Sequence, residues 1–385
     1  MKKENSFSTK VSRFVSEINE DEWAKIMPPY PAGYGYFKTI DETLRQQFKT
    51  YYISIYDKDE ISCIATCFIA EYSLDTTFDA KIKKITDKVL PLVRKILPNF
   101  LITRAIICGC PINRGMIGIK DSPCRDAVFE TLITKMRSVG EKENASFIAF
   151  RDFAEEYTHI LKPLLNSKFH KILSFPFAEL KIEHKSFEDY FSSLSKATKI
   201  DLRRKFKKTE GKIKIDMEVV DNVDDFLDEI YDLYLQNIKK SDVTFEIITK
   251  DFFKAISRNA PGISKFFLWR IDGKLVAFHL CLVSGGILSG EYLGIDYGIA
   301  YDYHIYFVLM TDIIKWWIKN DIKSFDAGAL SYDPKKRLDF QFVPQHLYVK
   351  HRNSIINFLF RFAVPFLKPE NSDPVLRSLK KKGKR

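Results

Sequence analysis

Long apolar runs are missing from this sequence. The longest, such as Cys63–Ala70 and Ala277–Val283, are far too short to span a bilayer. Residues Met1–Glu22 carry charges throughout and have no apolar core, so they do not read as a secretory signal. Cysteines at metal or redox spacing are missing too. Cys108 and Cys110 form a C-G-C pair, but there is no C-x-x-C and no histidine at zinc-finger distance, which argues against a zinc module. Cys63, Cys67, Cys124 and Cys281 are scattered, and all six read as reduced thiols of a cytoplasmic protein, with no metal expected. Glycine (16) and proline (15) are modest in a chain of 385 residues, 45% hydrophobic and 29% charged, which excludes disordered and collagen-like classes. That length suits two domains.

Acids are in deficit: 61 Lys and Arg stand against 50 Asp and Glu, a net charge of +11. Much of the excess is local. Lys196, Lys199, Arg203, Arg204, Lys205, Lys207 and Lys208 face one acid, Asp201, and the tail Arg377–Arg385 has basic groups and no acid. Such patches suit nucleic acid, a membrane surface or the phosphates of a cofactor. The bland alternatives are a solvated helix face and a frayed, soluble tail.

The last third is the most ordered part of the pattern. Strand-like runs at Ile263–Ile271, Leu275–Val283 and Ile287–Ile295 are separated by Asp272-Gly273 and Gly285-Gly286, two-residue turns that need positive φ. An amphipathic helix at about Tyr303–Lys319 follows, then a short strand ending Phe325-Asp326-Ala327-Gly328 and an apolar run at Gln345–Val349. The first half repeats that order. Tyr51–Ile55 and Ser62–Ile69 read as strands, Ile82–Leu97 as a helix, and Ala105–Cys110 as a strand before a glycine-bearing loop. A helix at Asp126–Lys142 then leads to a strand at Ser146–Phe150. Phe175-Pro176-Phe177 marks a boundary, after which Ser186 caps a helix that starts at Phe187 and runs into the basic stretch. Two more amphipathic helices are expected at Asp225–Lys240 and Thr249–Arg258.

The run Phe187-Glu188-Asp189-Tyr190 to Lys196, continuing to Asp201-Leu202-Arg203-Arg204-Lys205, resembles the linker helix of double-domain acyltransferases. Gly290-Glu291-Tyr292-Leu293-Gly294 and Phe325-Asp326-Ala327-Gly328-Ala329 look like two further blocks of that family, and Gly109-Cys110-Pro111 with Gly115 is a fainter echo. The relatives are bacterial acetyltransferases of the peptidoglycan-biosynthesis-like kind, kin of the Fem peptidyltransferases in the GNAT (acyl-CoA N-acyltransferase) superfamily. The resemblance implies an α+β fold of two tandem GNAT-like lobes with mixed, mostly antiparallel sheets. The lobes are expected at 1–178 and 179–352, with 353–385 an amphipathic segment and basic tail. Two departures stand out. Where some relatives carry an acid-His-Lys cluster, this chain has Tyr332-Asp333-Pro334-Lys335-Lys336. The usual glycine-rich pyrophosphate loop is replaced by Asp296-Tyr297-Gly298-Ile299-Ala300-Tyr301.

The same resemblance puts the acyl donor, acyl-CoA, between Ile287–Asp296 and Lys323–Gly328, with its phosphates at the start of the Tyr303 helix. On that strand Glu291 is the first candidate base and Asp296 the second, with Tyr292 as an acid for the leaving thiolate and His279 on the neighbouring strand as a further candidate. Each has a plain alternative: a solvated carboxylate, a turn acid, a packing ring, a core imidazole. Tyr297, Gly298, Tyr303, Asp326 and Lys335 are the expected donor-binding residues. The amine acceptor is not legible. An aminoacyl-tRNA donor is the second reading, although the long helical arm of Fem proteins is absent. A third is a non-catalytic protein held at the inner face of the membrane, because Ser354–Phe366 is apolar with Arg361 as its one charge and basic residues flank it.

Overall fold

The computed structural model describes residues 7–73, 102–181, 183–209, 212–240, 246–371 and 373–382. The helix expected at 82–97 and the last three residues of the basic tail lie outside them. Strands run at Phe7–Ser12 (β1), Lys49–Asp57 (β2), Glu60–Ser73 (β3), Ile102–Cys108 (β4), Ile117–Ile119 (β5), Phe147–Ala154 (β6) and His170–Lys181 (β7). They continue at Ile215–Val220 (β8), Ser264–Ile271 (β9), Lys274–Ser284 (β10), Ile287–Ile295 (β11), Ser324–Asp326 (β12) and Gln341–His351 (β13).

These elements form two compact units that are not consecutive pieces of chain. One holds Met1–Pro28, Gln46–Phe175 and Pro344–Arg385; the other holds Pro29–Arg45 and Pro176–Val343. The boundaries read from the sequence, at 178 and 352, therefore differ from the observed ones. The chain changes unit at Pro28-Pro29, Arg45-Gln46, Phe175-Pro176 and Val343-Pro344, and three of these four crossings carry proline. Proline offers no N–H to a ladder, which makes it a natural residue at such a crossing.

In the first unit β1 to β4 pair antiparallel in sequence order, with β5 on the flank of β3. The helix Arg125–Lys142 then carries the chain to β6, which lies parallel to β4, and residues 345–351 of β13 close against β6 antiparallel. That helix buries Val128, Phe129, Leu132, Ile133, Met136 and Val139, a three-and-four spacing that gives one apolar stripe. The stripe meets alternate strand residues, among them Tyr51, Ile53, Ile55, Cys63 and Ala65.

The second unit repeats the plan. β8 to β11 are successively antiparallel, the helix Ile305–Lys319 follows, β12 lies parallel to β11, and residues 179–181 of β7 pair antiparallel with β12. Its turns carry the positive φ expected of them: +48° and +80° at Asp272-Gly273, +58° and +76° at Gly285-Gly286. Leu309, Ile313, Ile314 and Trp317 of the helix pack on Phe267, Trp269, Leu288 and Phe325. The helices Leu227–Lys240 and Lys250–Asn259 serve the other face, where Phe253 meets Phe278 edge-on at 5.6 Å.

One helix expected from Phe187 through the basic run is instead two, Phe187–Ser193 and Lys196–Thr209. Leu194 is extended (ψ 154°), and the Ser195 hydroxyl accepts from the Thr198 N–H at 3.1 Å, a local cap that restarts the helix. The segment from Pro29 supplies a helix the sequence did not announce, Tyr34–Thr43. It lies so close to Lys250–Asn259 that a Cβ on Gly35 would sit 2.0 Å from the Asn259 carbonyl oxygen. Arg258 pairs with Glu42 at 2.7 Å, and the Asn259 amide donates to Thr39 and Glu42.

Candidate active site

The centre of the second unit is a defect in its sheet. Leu280 pairs with Tyr292 and Cys281 with Gly290, so Glu291 is an extra residue on β11. A bulge of this kind bends the strand and re-aims a side chain. The parallel ladder with β12 has its last rung at Ser289 and Asp326, while β11 runs on to Ile295. Glu291 therefore stands just past the point where the ladder stops.

A chain of hydrogen bonds begins at that carboxylate. Tyr36 donates to its Oε2 at 2.6 Å, and Ser289 donates to its Oε1 at 2.7 Å. The Ser289 hydroxyl lies 3.0 Å from the Tyr30 hydroxyl, which donates to Asp326 Oδ2 at 2.7 Å. Asp326 Oδ1 in turn accepts the Gly328 N–H at 2.9 Å. Two carboxylates are thus joined through a serine and a tyrosine. Tyr36, Ser289 and Asp326 are buried, whereas Glu291 and Tyr30 keep partial exposure.

Behind this chain lie two buried bases. A Cβ on Gly290 would fall 2.9 Å from His279 Nε2 and 3.1 Å from Phe325, so the glycine leaves the room the imidazole fills. Burial, helped by the nearby Lys335 charge, pulls the His279 pKa down to about 3, and its Nδ1 has no hydrogen-bond partner among the described residues. The ring is neutral at physiological pH. Lys335 is buried with its ammonium on the carbonyls of Ala327 (2.6 Å), Gly328 and Ala329 (both 3.2 Å). Burial lowers its pKa to about 8, against the opposing pull of Asp326. The lysine fixes the turn that follows β12.

Of the residues singled out from sequence, the structure gathers Glu291, His279, Asp326 and Lys335 here. The others sit elsewhere in the unit. The Tyr292 ring joins Tyr234, Phe252 and Phe253, with its hydroxyl 3.4 Å from Glu246. Asp296 is tied to Lys274 at 2.9 Å and to the Gly298 N–H at 2.9 Å; the lysine holds its carboxyl below the usual range. It organises the turn instead of joining the Glu291 chain. Tyr297 donates to Asn237 at 2.7 Å. Tyr303 accepts from Thr209 through its carbonyl at 2.8 Å, which seats the end of the basic helix beside the start of Ile305–Lys319. Lys205 lies 3.9 Å over the Phe307 ring, and burial together with Lys208, Lys205 and Arg204 depresses His304. Lys196, Arg203, Arg204, Lys207 and Lys208 are exposed.

Sequence reasoning passed over Tyr30, Tyr36 and Ser289. The available signal was the proline- and glycine-punctuated run Pro28-Pro29-Tyr30-Pro31-Ala32-Gly33-Tyr34-Gly35-Tyr36, which reads as a loop. Among the described residues no group of three or more His, Cys, Asp and Glu is placed to hold a metal ion, and no helix is long and apolar enough to cross a membrane.

Comparison with known proteins agrees with this architecture. Residues 196–336 match the acetyltransferase (GNAT) domain family model. The fold is similar to that of FemX (TM-score 0.58, 10% identity, 91% of this chain and 99% of that one). It is also similar to a tandem GNAT protein from the clavulanic acid biosynthesis pathway (TM-score 0.53, 7% identity, 90% and 99%). A third likeness is to the C-terminal domain of a provisionally identified lysylphosphatidylglycerol synthetase from Agrobacterium fabrum (TM-score 0.52, 12% identity, 89% and 94%). At such identities the likeness is one of fold. A Mycobacterium tuberculosis protein provisionally named 8-amino-7-oxononanoate synthase 2 is 22% identical over 339 residues, 84% of this chain. The chain spans only 42% of that relative's length.

Proposed function

We propose that this chain, a tandem GNAT-type protein with its acetyltransferase domain at residues 196–336, is an N-acyltransferase whose chemistry is run by Glu291 in the second unit. One observation carries the reading: a bulge delivers a half-buried carboxylate, held by Tyr36 and Ser289, to the place where β11 and β12 stop pairing. A positioned carboxylate of this kind suits general-base work. The acceptor amine gives its proton to Glu291 as its nitrogen bonds to the acyl carbon. The carbon–sulfur bond of the donor then breaks, and the thiolate regains one proton, so the count closes. Ser289, Tyr30 and Asp326 offer a path by which that proton leaves Glu291. Lys335 keeps the Ala327–Ala329 turn beside it in place.

Acyl-CoA is our choice of donor. Its phosphates would suit the start of the helix Ile305–Lys319, where the positive end of the helix dipole meets the basic end of Lys196–Thr209. The exposed basic residues of that helix also favour a second reading, an aminoacyl-tRNA donor. The likeness of fold to FemX and to a lysylphosphatidylglycerol synthetase domain supports an acceptor in cell-envelope or polysaccharide metabolism. Release of free thiol from acyl-CoA in the presence of amine acceptors tests the reading. It should be saturable and should collapse in Glu291→Gln. No thiol release, with transfer from charged tRNA instead, would favour the second donor. Equal turnover in wild type and Glu291→Gln would end the assignment of Glu291.

A further inference from the structure

The helix Ser354–Phe360, in the first unit, is built inside out. Its buried residue is polar: Asn357 is 6% exposed, donates to the Lys168 carbonyl at 3.1 Å and accepts the His351 N–H at 2.9 Å. Its carbonyl lies 2.9 Å from His170 Nε2. Phe360 packs beside it on Phe147 and His170. The outward face is apolar, with Ile355 71%, Phe358 52%, Leu359 56% and, one turn on, Phe362 57% exposed. Asn357 thus anchors the helix by amide hydrogen bonds and leaves its large side chains in water. Isolated exposed apolar residues are ordinary, but a contiguous patch on one short helix marks a contact surface.

Charge indicates what covers it. From Lys350 to Lys368 the chain has Lys350, Arg352, Arg361 and Lys368 and no Asp or Glu. The Arg361 guanidinium stacks on Phe358 at 3.8 Å and on Phe362 at 4.6 Å, which places a cation within the apolar patch. Burial, and after it the positive charges of Arg137 and Lys168, lowers the Lys350 pKa, so further cations lie near that end of the run. Apolar side chains interleaved with arginine, in a run that holds no Asp or Glu although Glu141 lies 3.6 Å from Arg352, match the boundary between lipid tails and anionic headgroups. Arg361 can keep its charge at headgroup level while its stem and its aromatic neighbours go deeper. A helix this short lies on a bilayer and does not span it.

We infer that this face docks the protein on an anionic lipid surface, with Ile355, Phe358, Leu359 and Phe362 entering the interface and Arg361 pairing with lipid phosphate. The test is co-sedimentation of the full chain with vesicles of phosphatidylglycerol and phosphatidylcholine, against vesicles of phosphatidylcholine alone. Wild type should partition at least tenfold more strongly to the anionic vesicles, and salt should weaken the binding. The triple variant Ile355→Ser, Phe358→Ser, Leu359→Ser should lose tenfold or more with its melting temperature unchanged, since those side chains are already in water. Arg361→Gln should reduce the preference for the anionic vesicles. Absence of vesicle binding by wild type would overturn the inference, as would a triple variant that binds equally well. So would light scattering that shows wild type self-associating and the triple variant not, because the face would then belong to a second copy.

Discussion

In the first unit the parallel ladder of β4 and β6 ends at Cys108 and Phe150; in the second, that of β11 and β12 ends at Ser289 and Asp326. A glycine follows both strands' last rungs, Gly109 and Gly290. Around that shared frame the contents differ. Cys108 and Phe150 are fully buried in an apolar core, and burial pushes the thiol's pKa well up, so it stays protonated and inert. The β3–β4 pairing runs from Cys67/Cys108 to Ser73/Ile102 without a shift, whereas the β10–β11 pairing breaks to release Glu291. One plan therefore serves twice, and in our proposal chemistry follows from the bulge and the polar residues around it, not from the topology.

The largest effect should come from removing the feature the first unit lacks. Glu291→Gln should lower turnover by roughly 100- to 10,000-fold with donor affinity nearly intact. Asp296→Asn should cost far less, because that carboxylate serves Lys274 and the Gly298 turn. Comparable losses in the two variants, measured by thiol release, would erase the contrast between the two carboxylates.

Next is the borrowed segment. Gly35→Ala would force a methyl to within 2.0 Å of a backbone oxygen, so the two helices must separate. A cost of about 1–3 kcal/mol is expected in chemical denaturation, together with loss of turnover as Tyr30 and Tyr36 withdraw. An unchanged denaturation midpoint would show that the helix Tyr34–Thr43 is not held in this way.

Acid should distinguish the units as well. His279 is neutral in the fold with a pKa of about 3, and in the unfolded chain it takes its ordinary value near 6.5. The unfolded state binds the extra proton in that window. Stability contributed by the neutral ring is complete above about pH 6.5 and is lost as pH falls toward 3, with a slope approaching about 1.4 kcal/mol per pH unit. His279→Leu should flatten that part of the curve; a curve of unchanged slope would mean the ring is protonated in the fold.

Two smaller effects complete the series. Tyr36→Phe removes one hydrogen bond to Glu291 and should lower turnover about tenfold. Cys108→Ala, at the matching rung of the first unit, should leave turnover per folded molecule unchanged. Loss of activity there without loss of fold would give the first unit a chemical role.

Much of this fold was legible because its signals are local. Asp272-Gly273 and Gly285-Gly286 announced the hairpins through their need for positive φ, and the stripe on Arg125–Lys142 announced its helix. Glu291 drew notice as a charge in an apolar run. Its surroundings could not be read, because a bulge is a property of pairing, and Glu291 has no sequence neighbour that betrays it. Tyr36 and Tyr30 are 255 and 296 residues from the carboxylates they serve. No periodicity reaches that far, and the prolines and glycines around them spell a loop.

The interleaving of the two units also has a consequence for how the protein is made. Tyr36 emerges from the ribosome 255 residues ahead of Glu291. At typical synthesis rates that is a wait on the order of ten to fifty seconds. For most of it, the helix Tyr34–Thr43 has neither Phe252 nor Asn259 to pack against. The first unit waits longer still, since β6 gains its last neighbour only when residues 345–351 are synthesised. A chain released before Glu291 can finish neither unit, so bringing Tyr36 to Glu291, Tyr30 to Asp326 and β13 to β6 certifies that translation has passed all three.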